Sequence, residues 1–188
     1  MGRIITRLVV SSAAFCIGQA AWAGDRLSFW PSGGDHGIDA CVFTTMPSPE
    51  EPAGFGRLLV GVAADTATLE PVGIVKLRHD GAAPGPRLLE LGAGAETLLS
   101  VPLNPTGAHT VRATMPAGPA RDLMGSLLHR TGLWLRIDGA AARPVAIGGT
   151  EQQVTSCIAA LERDLADERA ARARGDLTTS FPSLKDDD

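Results

Sequence analysis

The chain has no tyrosine, aromatics make up only 4% of its 188 residues, and it holds three cysteines. With so few rings it is poorly equipped for stacking on bases or for a broad aromatic platform against sugars. Beyond the N-terminus no stretch approaches the ~20 consecutive apolar residues of a membrane helix, so the mature chain is expected to carry no transmembrane segment. No C-x-x-C, H-E-x-x-H, H-x-x-E-H or H-x-E pattern occurs, so no metal and no cofactor are expected. Basic excess is missing too: the formal charge is −4. That argues against a nucleic-acid partner, whose affinity rests on a basic field.

The first 23 residues have the layout of an export signal. Arg3 and Arg7 supply the positive start, Leu8 to Ile17 the apolar centre, and Ala21-Trp22-Ala23 a small-x-small cleavage site. The mature protein is expected to begin at Gly24 and to be periplasmic or secreted. Cleavage removes two arginines, which leaves 15 basic against 21 acidic residues and a charge of −6. Lipid attachment at Cys16 is disfavoured, because Phe15 stands where a small residue is wanted.

Cleavage also removes Cys16 and leaves Cys41 and Cys157. An even pair in an exported chain reads most simply as a disulfide, since an oxidising compartment lets it persist. Two free thiols or a zinc pair are the competing readings. A crosslink closing a loop of roughly a hundred residues is assigned about 4 to 5 kcal/mol by the chain-entropy model.

High Gly (22) and Pro (13) counts predict short strands with many turns. Strand patterns fall at 40–45, 57–64, 67–78, 87–91, 96–103, 109–115, 133–138 and 143–147, and their spacing suits an antiparallel meander better than parallel crossovers. Residues 24–39 read as a lead-in loop or short edge strand. Pro119 opens a helix over 119–131, with Leu123, Met124, Leu127 and Leu128 on one face and Gly132 placed for a left-handed cap. A second helix runs over 150–173, where Thr150 and Gln153 form a capping-box pattern and Val154, Cys157, Ile158, Leu161 and Leu165 share a face. Past Leu165 its charges face most directions, which predicts a helix projecting into water or fraying. The expected fold is α+β: a mainly antiparallel, sandwich-like sheet with two packed helices and one disulfide. It comprises a signal over 1–23, one domain over 24–173, and a disordered acidic tail over 174–188.

Four stretches bear on function. Ser32-Gly33-Gly34-Asp35-His36-Gly37 combines glycine amides with a carboxylate and an imidazole. It lacks the strand-nucleophile-helix setting of a hydrolase elbow, so a flexible turn is the plainer account, with a hydrolase acting through Asp35 and His36 as the enzymatic alternative. Gly148-Gly149 before the second helix permits a tight turn, and Glu151 just after it would repel an anion. Trp30 is a candidate binding residue, because exposed tryptophans anchor interfaces. Trp134 is another: it lies on the strand face opposite Leu133, Leu135 and Ile137, either covered or open to a partner.

The C-terminal arrangement resembles a known type. A helix to Thr131, the strand LWLRI, the strand PVAI, then Gly-Gly-Thr and the cysteine-bearing helix EQQVTSCIAAL are similar to small exported bacterial proteins of the invasion-associated locus B type. They also resemble a periplasmic accessory protein of type VI secretion. The resemblance spans residues 120–162 and implies a non-enzymatic envelope protein with a β-sandwich-like core. It identifies no functional residues. The leading expectation is thus a periplasmic, non-catalytic binding or accessory protein that contacts another envelope protein. An inhibitor or immunity-type protein with an acidic surface is a further alternative.

Overall fold

The computed structural model describes residues 25–34, 37–45, 58–78 and 85–175. The expected signal at 1–23 and the tail beyond Gly175 lie outside the described residues. Nine strands and two helices follow in the order β1 (Asp25–Gly34), β2 (Gly37–Thr45), β3 (Leu58–Asp65), β4 (Glu70–Arg78), β5 (Arg87–Ala93), β6 (Glu96–Gly107), β7 (Thr110–Pro116), α1 (Ala117–His129), β8 (Leu133–Ile137), β9 (Arg143–Gly148) and α2 (Glu151–Arg174).

The strands close into a barrel in the order β1-β2-β3-β4-β7-β6-β5-β8-β9, where a sandwich-like sheet was expected. Closure comes from β1, which pairs antiparallel with β2 and, through Asp25 to Ser28, in parallel with Val145 to Gly148 of β9. The segment expected to be a loop or short edge is therefore a ten-residue strand of the ring. Pro31 pairs with Cys41 of β2 but lies beyond the residues that meet β9, so its missing N–H costs no bond on the β9 side. A second departure from a simple meander is that β4 pairs with β7 instead of β5.

Alternation divides every strand into two faces. On one, Leu27, Phe43, Val60, Val62, Val75, Leu77, Leu89, Leu91, Leu103, Val111 and Leu135 join the apolar stripes of both helices in one buried core. Phe29 packs edge-on against Phe43 there, with ring centroids 5.6 Å apart. The other face carries Trp30 and Trp134.

Helix α1 starts at Ala117, two residues before Pro119, with no side-chain cap bond. It ends at His129, so Gly132, though left-handed, is not its cap. Helix α2 has the predicted cap in full: the Thr150 hydroxyl accepts from the Gln153 N–H, and the Gln153 side chain accepts from the Thr150 N–H. The helix does not fray after Leu165. Leu165 and Glu168 are buried, Glu168 accepts from the Arg172 guanidinium at 3.1 Å, and Arg169 pairs with Glu70 of β4. Leu165 in the core and Arg169 on Glu70 hold the charged half against the barrel, while the Glu168–Arg172 pair lies within the helix. Arg121 with Glu162, and His129 with Glu151 at 3.4 Å, join the two helices. In the β3–β4 turn the Ala67 and Thr68 N–H groups donate to Asp65, which lowers that carboxyl below its ordinary pKa.

Candidate binding surface

Cys41 of β2 and Cys157 of α2 are joined by a disulfide, with Cα atoms 5.9 Å apart. Both residues are buried, Cys41 among the core-face side chains and Cys157 on the packed stripe of α2. The bond is thus an anchor between helix and barrel. It ties β2, the strand paired with β1, to α2 beneath the surface that Trp30 occupies.

Cross-strand register lays out that surface in rows. Trp30, Val42, Gly61, Ile74 and Thr114 form one row across β1, β2, β3, β4 and β7. Ser32, Ala40 and Ala63 flank it on one side, and Leu59, Lys76 and Arg112 on the other. Small residues at the centre leave a hollow of about 60 Å³, floored by Ala40, Val42, Ala63 and Ile74 and edged by Lys76 and Arg112. Gly61 is required here because a Cβ would meet the Cys41 carbonyl oxygen at 2.2 Å. Trp30 ends the row with 51% of its surface exposed, the most open large apolar side chain among the described residues.

Trp134 lies on the corresponding face of β8, opposite Gly92 of β5. Its indole N–H donates to the Gly94 carbonyl at 2.9 Å, and the Arg136 guanidinium lies 5.0 Å from its ring centroid. A Cβ on residue 92 would come within 2.2 Å of the indole, so glycine is what lets the ring lie against the strand. Arg136 in turn pairs with Glu90 of β5. Trp134 is therefore half-buried and held from several sides.

No contact joins the two tryptophan rings among the described residues. Asp35 and His36 lie outside the described residues. The hollow of Ala40, Val42, Ala63 and Ile74 was not anticipated, although small residues at every second position of β2 and β3 (Ala40, Val42, Gly61, Ala63) were a readable sign of it. Among the described residues no three His, Cys, Asp or Glu side chains are grouped as metal ligands. Among the same residues no helix is long and apolar enough to cross a membrane.

These features define a class: a barrel of nine strands with two packed helices, one of them tied to it by a disulfide. No family model, no curated protein and no solved structure matches the chain.

Proposed function

We propose that the chain is a periplasmic, non-catalytic binding or accessory protein that docks onto another envelope protein through the surface around Trp30. The observation that carries this reading is an indole held half in solvent on a strand whose neighbour is locked by the Cys41–Cys157 bond. A ring that loses little freedom on binding suits an interface anchor, because two rigid torsions carry a large contact area. The disulfide supports an oxidising destination, as does the export-signal pattern of residues 1–23. The resemblance of residues 120–162 to exported envelope proteins points the same way.

The test is capture from periplasmic extract on immobilised mature protein, run beside Trp30→Ala. A partner that wild type retains and the variant loses supports the reading. Failure to recover any specific partner, together with turnover of an envelope substrate, would sink it.

A further inference from the structure

Strand β6 changes partner along its length. Glu96 to Leu103 pair with β5, whereas only Asn104 to Gly107 pair with β7. Beyond that point the strands part: Ala113 to Pro116 of β7 remain paired with β4 alone. The barrel is therefore split on this side, and among the described residues no strand pairs with the second edge of β6 between Thr97 and Val101. An open edge is a row of backbone donors and acceptors ready for another chain.

Proline fixes which groups face the split. Pro102 pairs with Leu88 of β5; having no N–H, it is accommodated where its nitrogen points away from that ladder. Alternation then turns the N–H and C=O of Ser100 toward the split as well. Pro102 and Pro105 also limit the usable edge to a short run, so an added strand meets a defined stop.

The split opens into two hollows that follow β6. One, of about 370 Å³, lies between Leu98 and Leu123 of α1 and is closed at its end by the 2.9 Å pair of Arg130 with Glu96. The other, of about 530 Å³, lies between Val101 and Arg112. An edge strand beside a helix is the setting in which an extended peptide adds by main-chain bonds and uses side pockets for selectivity. The two ends differ in charge. Arg130 is already paired, whereas Arg112 lines the second hollow, makes no ion pair among the described residues and reaches Asp65 only through its longer-range field. A carboxylate in that hollow would complement the charge of the Arg112 guanidinium.

We propose that the free edge of β6 accepts an extended segment of a partner protein as an added strand, with an acidic side chain of that segment on Arg112. This rests on the binding reading above and specifies the chemistry of the partner.

The probe is a set of acetylated, amidated eight-residue peptides of alternating Val and Ser, each with one Asp moved through the sequence. Binding to the mature protein is followed by fluorescence anisotropy. Peptides with Asp near one end should bind at least tenfold more tightly than their Asp→Lys counterparts, and hydrogen exchange at the Ser100 amide should slow on saturation. Arg112→Gln should bring Asp peptides down to the level of neutral ones. Ser100→Pro should remove binding while retaining the wild-type melting temperature; if that variant does not fold, Arg112→Gln and the Ser100 exchange decide. Equal binding of Asp and Lys peptides, or binding without protection at Ser100, overturns the proposal. A natural partner retained by Ser100→Pro but lost by Trp30→Ala also overturns it and leaves the binding reading standing. Absence of any partner, with turnover of an envelope substrate, removes that reading itself.

Discussion

Trp30 and Trp134 occupy the same face of one barrel but are held in opposite ways. Around Trp134 each polar group has a partner: the indole N–H has the Gly94 carbonyl, and Arg136 has both the ring and Glu90. Beside Trp30 the neighbouring strand β2 is tied to α2 by the Cys41–Cys157 bond, while 51% of the Trp30 side chain is left in solvent. The difference lies in what each ring is paired with across the sheet. Trp134 faces a glycine and can lie down; Trp30 faces Val42 and cannot. One tryptophan contributes to stability, and the other is available for contact.

Several changes would break or sharpen that contrast. The largest effect is expected from Cys157→Ala, which frees α2 from β2 and should cost about 4 kcal/mol in denaturant unfolding monitored by circular dichroism. Gly92→Ala drives a methyl group into the indole and toward the Glu96 carbonyl oxygen, 2.4 Å from the ideal Cβ. It should cost about 3 kcal/mol and alter Trp134 fluorescence. Trp134→Phe keeps a ring but leaves the Gly94 carbonyl without its indole donor, a loss of about 1 kcal/mol in the same experiment. Trp30→Ala should change stability by less than about 0.5 kcal/mol while abolishing partner capture. If Trp30→Ala instead destabilised as much as Gly92→Ala, the division between the two rings would be wrong.

Local signals in the chain were the legible ones. The capping box at Thr150 and Gln153, the apolar stripe of α2 and the pairing of Cys41 with Cys157 follow from neighbouring residue types and from cysteine number. Strand β3, with its continuous run of small and branched apolar residues, also stood where it was expected. Strand β1 was hidden because Pro31, Gly33 and Gly34 read as a turn, and what makes it a strand is pairing with residues far along the chain. Barrel closure and the β4–β7 pairing are non-local in the same sense, so no periodicity announces them. The candidate surface was half legible. Both tryptophans were evident, but which one is covered depends on Gly92, a residue of another strand, and the split beside β6 exists only once its two pairing partners are known.

The parallel contact between β1 and β9 has a consequence in time. Asp25 to Ser28 stand at the start of the described chain and Val145 to Gly148 near its end, so the ring cannot shut until almost all intervening strands exist. Contacts this distant in sequence slow folding, because the loop must be closed before the contact rewards it. Closure at the seam between the first and last strands is therefore expected among the late steps of folding, and until then both strands present an unpaired edge.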